Sequence, residues 1–271
     1  MKIKIKDFVP EHTFLCGQCF RWEKEPDGSF IGIANGQVVR IKSDGEDTFI
    51  EGITKEDYVS FWEKYLDVKR DYSEIKKAIN INETMDKSIK FGYGIRILRQ
   101  EFFETLISFI ISQRSSIPKI KSCVSKLCEL YGEEIVFDGK SYYSFPTPKK
   151  LASATEEDLR AIGVGYRAPY ILKAAEAVMC GEIDAESLEK SDTPVAREKL
   201  LSLYGVGDKV CDCVLLFSLG KYDLFPSDVW IKRVMAEKFS SLDAKKSGED
   251  EFGLYSGFAQ QYLFYWRKYN V

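Results

Sequence analysis

Up to Asp71 the apolar residues come in short runs cut by turn signals, which is the pattern of strands. Phe20-Arg21-Trp22, Phe30-Ile31-Gly32-Ile33 and Val38-Val39-Arg40-Ile41 are rich in aromatic and β-branched residues. Pro26-Asp27-Gly28, Asn35-Gly36 and Ser43-Asp44-Gly45 punctuate them. Asn-Gly between two apolar runs is a strong hairpin signal, because both residues tolerate the positive φ of a type I′ turn. Met1 to Lys6 alternates Lys with Ile and predicts an edge strand. A small antiparallel sheet is the expected outcome.

Beyond Asp71 the apolar period lengthens to that of a helix. Phe102, Leu106, Phe109 and Ile110 share one helical face, as do Val124, Leu127 and Cys128. Pro146 and Pro148 close a loop before Leu151, and the Gly163-Val164-Gly165 turn leads into a helix over Tyr166–Met179. Another helix, Arg197–Leu203, stops at Tyr204-Gly205-Val206-Gly207, a new one starts at Asp208, and Pro226-Ser227-Asp228 introduces the next. The fold class is therefore α+β: a small antiparallel β domain, residues 1–85, followed by an all-helical body, residues 86–271.

Composition narrows the function classes without choosing among them. The 271 residues are 45% hydrophobic and 30% charged, an ordinary globular balance, and they suffice for a sizeable core. No apolar run reaches membrane-spanning length and no signal peptide is recognisable, so a cytoplasmic protein, at the nucleoid or in the nucleus according to its source, is expected. The seven cysteines are odd in number and scattered. Cys16 and Cys19 have CxxC spacing, but no second pair follows, so reduced thiols and no metal are expected. The net charge of −3 conceals two stretches with bases and no acids. One carries Lys87, Lys90, Arg96 and Arg99, the other Arg114, Lys119, Lys121 and Lys126. Acids gather elsewhere, as at Glu156-Glu157-Asp158 and Glu249-Asp250-Glu251. A basic run is ordinarily a solvated helix face, but local charge is also what phosphates respond to.

The chemistry concentrates at Leu203-Tyr204-Gly205-Val206-Gly207-Asp208-Lys209, a helix, a tight glycine hairpin and a second helix. Gly205 and Gly207 ease the turn and bring peptide N–H groups to a helix N-terminus, where a phosphate oxygen can be held. Most GxG segments are merely turns. Here Lys209 follows in the first helical turn, where the positive end of the dipole disfavours its ammonium form, as an amine nucleophile requires. Asp228 lies nineteen residues further on, after a proline, and can cap the next helix with one oxygen while the other faces a site.

These features resemble the helix-hairpin-helix, Gly/Pro-Asp superfamily of DNA glycosylases, and most closely its 8-oxoguanine branch. Four further segments carry the resemblance: Gly17-Gln18-Cys19-Phe20-Arg21-Trp22, Gly94 to Gln100, Gly163-Val164-Gly165-Tyr166-Arg167-Ala168, and Gly257-Phe258-Ala259-Gln260 with Phe264. The resemblance implies that the N-terminal sheet is like that of TATA-binding protein and that the site lies in a cleft between helical subdomains. It implies a bifunctional glycosylase and abasic-site lyase for base excision repair, which flips 8-oxoguanine out of duplex DNA. Lys209 would attack the sugar's anomeric carbon, and the Schiff base would permit β-elimination. Asp228 would stabilise the charge developing on the sugar. Phe264 would stack on the extruded base, Gln260 would read its Watson–Crick edge, the Gly17 carbonyl would accept the N7 hydrogen of the oxidised purine, and Cys213 would form part of the pocket wall. Tyr166 and Arg167 would wedge beside the orphaned partner base, and Gln113, Arg114, Lys119, Gly205, Gly207 and Trp230 would contact DNA.

The resemblance is not complete. Gln113-Arg114-Ser115-Ser116 replaces a run of asparagines, Trp230 a histidine, and Lys119 an arginine that reads the opposite cytosine. Lysine lacks the bidentate fork, so no strict preference for cytosine is implied. No C-terminal four-cysteine cluster is present and no iron–sulfur centre is expected, although the hairpin carbonyls could hold a monovalent cation. Double-stranded DNA with an oxidised purine is the expected partner and a monomer the expected state. An alkylpurine glycosylase that lacks the lysine, and a hairpin module that only grips DNA, are the competing readings.

Overall fold

The computed structural model describes residues 1–270. Five strands form one antiparallel sheet in the order β1-β5-β4-β3-β2: β1 Lys2–Lys4, β2 Trp22–Lys24, β3 Phe30–Ala34, β4 Gln37–Asp44 and β5 Asp47–Glu51. The expected edge strand is β1, paired with β5. Asn35 and Gly36 both have positive φ (51° and 65°) and make the β3–β4 hairpin. The run expected to begin at Phe20 becomes strand only at Trp22, since the residues before it leave the sheet for the helical body. A short helix, Pro10–Phe14, crosses one face, and the Phe14 ring stacks on Trp22 at 3.9 Å between centroids. Gly32 opposes Trp22 in register, and any side chain there would overlap the indole.

The remainder is helical, with one correction. Glu134–Phe137 (β6) and Lys140–Tyr143 (β7) form a separate antiparallel hairpin, so the body is not all helix. Its turn, Asp138-Gly139, has positive φ at both positions, the same chemistry as Asn35-Gly36. The packing also does not divide at residue 85. Tyr72, Ile75, Ile79, Met85 and Ile89 belong to the helical core, and Tyr72 meets Phe258 edge to face. The sheet core runs from Ile5 to Leu66 and takes in Leu98. No described helix is long and apolar enough to cross a membrane.

A buried polar seam joins the two cores. Arg96, 1% exposed, donates to the carbonyls of Lys6 and Asp67 and lies on the Tyr72 ring. Beside it the Gln18 amide donates to Thr13 O (2.9 Å) and Arg96 O (2.7 Å), and Gln18 Oε1 accepts from Leu98 N (2.8 Å). The segment 17–22 threads this seam, with Cys19 and Trp22 in the sheet core and Phe20 in the helical core. Arg21 crosses to Glu104 at 3.1 Å. Burial pushes the Glu104 carboxyl up to about 7 in spite of this partner. The first basic stretch is not an uncompensated patch of charge: Arg96 is buried, Arg99 pairs with Glu189, Lys87 with Glu83 and Lys90 with Asp86.

His12 seats the same seam, with Nδ1 accepting from Gly94 N at 3.2 Å. That bond requires the neutral ring, and burial lowers the histidine pKa from 6.5. The unfolded chain therefore binds a proton more readily, so this contribution to stability is present above pH 6.5 and is lost as pH falls below it. In urea unfolding from about pH 7 down to about pH 5, His12→Asn should lose less stability than wild type, because an amide oxygen can accept the bond without titrating. Parallel curves for the two proteins would contradict this.

Candidate active site

The hairpin forms as its sequence dictates. Gly205 has φ +85°, and a side chain there would overlap the Tyr170 ring, so both the backbone angle and the packing require glycine. Gly207 is the N-cap of the helix Asp208–Phe217, whose Val210, Cys213, Val214 and Phe217 face the core. Two acids on this helix are engaged away from the lysine: Asp208 with Arg197, and Asp212, 1% exposed, with Arg197 (2.9 Å) and Lys245 (2.5 Å). Lys209 is left half-buried. Its ammonium lies 4.8 Å from the centre of the Phe109 ring and 3.3 Å from Ser112 Oγ. Among the described residues no carboxylate is within ion-pair distance of it.

Asp228 is the N-cap of Val229–Phe239, with Oδ1 accepting from Ile231 N at 2.9 Å. Its second oxygen has no partner among the described hydrogen bonds, so capping leaves one oxygen free. Lys209 and Asp228 line one cleft of about 590 Å³ together with Gly17, Phe20, Phe109 and Phe264. Gln113, Arg114 and Trp230 stand at the same cleft, as do Ser112, Lys232 and Lys268, none of which the sequence singled out. Gly17 has φ +86°, and a Cβ on it would lie 2.9 Å from the Phe264 ring, so that ring rests directly on the glycine.

Two expected pocket residues sit behind the wall. Cys213 is buried next to Lys209, and desolvation pushes its thiol up to about 11. Gln260 is 5% exposed, and its buried Oε1 has no donor among the described residues. Five expected DNA contacts lie outside the cleft. Lys119 reaches over Gly163. Tyr166, 46% exposed, meets Tyr170 edge to face, and Tyr170 meets Tyr204 likewise, forming an aromatic ridge beside Gly205 and Gly207. Arg167 is turned inward: it is buried, donates to Val164 O and Gln113 O, and its guanidinium packs on Tyr166. Gln113 in turn donates to Gly205 O at 3.0 Å, so an amide occupies one carbonyl that a hairpin cation would use. The CxxC pair is structural, with Cys16 Sγ donating to Thr13 O and Cys19 Sγ to Phe14 O. Among the described residues no group of three His, Cys, Asp or Glu is placed for a metal.

The arrangement offers an uncompensated amine and a carboxylate with one free oxygen across a cleft. A flat apolar ring and a glycine peptide border the same space, and an unpaired amide oxygen lies behind its wall. It is suited to capturing an electrophilic carbon beside a planar leaving group.

Comparison with known proteins bears on this. Residues 1–106 match the 8-oxoguanine DNA glycosylase N-terminal domain, and residues 107–253 match the HhH-GPD superfamily base excision DNA repair protein. A probable N-glycosylase/DNA lyase of Methanothermobacter thermautotrophicus is 30% identical, the match covering 97% of this chain and 95% of that protein. The 8-oxoguanine glycosylase/lyase of Clostridium acetobutylicum is 41% identical. Its complex with dsDNA containing cytosine opposite 8-oxoG has a TM-score of 0.95, with 98% of this chain and 94% of that chain covered. Its apo form gives 0.94, with 97% and 94% covered.

Asp228→Asn and Asp228→Ala separate the two uses of this side chain. Asparagine caps as well as aspartate, so Asp228→Asn should change the unfolding free energy by less than about 0.5 kcal/mol, whereas Asp228→Ala should cost about 1 kcal/mol. Denaturant titration measures both, and equal losses would mean that Oδ1 is not the cap.

Proposed function

The chain belongs to the HhH-GPD superfamily of base excision DNA repair proteins, in its 8-oxoguanine DNA glycosylase branch, and on that premise we propose that it is a bifunctional glycosylase and lyase. It removes 8-oxoguanine from duplex DNA and then nicks the strand. The observation that carries this reading is the placement of Lys209 and Asp228 in one cleft with Gly17 and Phe264. A monofunctional enzyme has no use for an unpaired amine there, and a DNA-gripping module has no use for the cleft.

In this mechanism a nucleotide leaves the stack and enters the cleft. Lys209 Nζ, as the free amine, forms a bond to C1′ while the bond from C1′ to the base nitrogen breaks and the base leaves with its electron pair. Positive charge grows on the sugar in the transition state, and the free oxygen of Asp228 stabilises it electrostatically. Ring opening and loss of a proton from nitrogen give the Schiff base. A proton then leaves C2′, and the 3′ phosphate departs by β-elimination. Water releases Lys209 from the remaining imine.

Base reading falls to the opposite wall. Phe264 stacks on the purine, Gln260 Oε1 supplies an acceptor for its Watson–Crick edge, and the Gly17 carbonyl accepts the N7 hydrogen that guanine lacks. Arg114 and the N–H groups at Gly207 are available to phosphates, with Tyr166 as the wedge at the partner base. Lys119 meets that base as a point charge, which supports a relaxed choice of opposite base. Arg167 reaches DNA only if it leaves Gln113 O. The residues this reading uses all come from one copy of the chain, which supports a monomer.

Borohydride reduction in the presence of duplexes with 8-oxoguanine opposite each of the four bases tests the reading. Wild type should be trapped as a covalent adduct, and Lys209→Gln, shown to be folded by circular dichroism, should give none. Base release without trapping by wild type would instead indicate a monofunctional enzyme.

A further inference from the structure

The loop that carries Gly17 is held by its carbonyls. Thr13 O accepts from Gln18 Nε2 (2.9 Å) and Phe14 O from the Cys19 thiol (3.5 Å). Leu15 O accepts from Lys268 Nζ (3.2 Å), Cys16 O from Gln261 Nε2 (2.7 Å), and Gln18 O from Gln100 Nε2 (2.8 Å). From Thr13 to Gln18, Gly17 alone has a carbonyl with no donor among the described residues. The three glutamines are buried, Gln261 at 2% exposure. The donors on Leu15 and Cys16 both come from the C-terminal helix, Ser256–Tyr269, which also carries Gln260 and Phe264. One helix therefore sets both walls of the slot between Gly17 and Phe264.

A glycine at φ +86° has little torsional preference of its own, so the orientation of its peptide is set by its neighbours. The clamp on Cys16 O fixes the peptide plane before Gly17, and the clamp on Gln18 O fixes the plane after its own peptide. A flip of the peptide between them would exchange a carbonyl for an N–H, an acceptor for a donor. The oxidised purine presents N7–H and guanine a bare N7, so such a flip would reverse the preference of the slot.

We propose that Gln261 is a positioning residue for base discrimination: by holding the Cys16 carbonyl it keeps the Gly17 carbonyl, rather than an N–H, turned to the purine. This rests on the reading of the cleft given above.

The test compares Gln261→Met and Gln261→Asn with wild type in three single-turnover assays: excision of 8-oxoguanine, excision of guanine from the matched undamaged duplex, and cleavage at a preformed abasic site. An abasic site has no base to read, so its cleavage should stay within about threefold of wild type. Excision of 8-oxoguanine should fall roughly tenfold, the equivalent of one neutral hydrogen bond at the upper end of its range, and the ratio of 8-oxoguanine to guanine excision should fall with it. A merely structural role would lower all three rates together or only the unfolding temperature, and either result with the ratio unchanged would overturn the inference. Wild type that releases no 8-oxoguanine would overturn the underlying reading, and the inference with it.

Discussion

Arg96 places a full positive charge out of water, and no described carboxylate forms an ion pair with it, although Asp67 and Asp7 lie near enough to act on it. Its partners are the carbonyls of Lys6 and Asp67 and the face of Tyr72, and burial lowers its pKa from the ordinary guanidinium value. Desolvating a charge is costly unless every donor is used, so an arginine in this position demands one registry of the segments around it. Those segments are the start of the chain, the turn at Asp67 and the entry to the helical body. With Gln18 and Thr13 they lock the sheet onto the helices. The cleft depends on that lock, because Gly17 comes from the sheet side while Lys209, Asp228 and Phe264 come from the helices.

Within the cleft, the acids matter most for where they are not. The helix that begins at Asp208 carries two aspartates close to Lys209, and both point to Arg197. Asp228 spends one oxygen on its own helix. The lysine and the remaining carboxylate oxygen thus share a space without forming a salt bridge, and a salt bridge would hold the amine in its protonated, unreactive form. Phe20, Phe109 and Phe264 supply apolar lining beside these charges, and an apolar neighbour screens a charge less than water does.

What could be read from the sequence was local. The Asn35-Gly36 turn, the hairpin at Gly205 and Gly207, the inward face of the helix after it and the cap at Asp228 each depend on a few neighbouring residues. The β6–β7 hairpin has an equally clear signal in Asp138-Gly139, but its strands are four residues each and partly exposed, too short for an alternating pattern to stand out. Charge was harder to read. Arg96 and Arg167 count as basic residues in any tally, yet both are buried and donate to backbone carbonyls. The glutamine clamps were beyond reach, since Gln261 meets a carbonyl 245 positions away and no periodicity announces such a pairing.

The contact between Phe264 and Gly17 also bears on how the molecule spends its time. With the ring resting on the glycine, no gap separates the two walls of the slot. On the proposed reading, a base that unstacks by chance has to displace an aromatic ring before any of its atoms can be compared. Only a base that repays the displacement with new bonds inside stays long enough to meet the lysine.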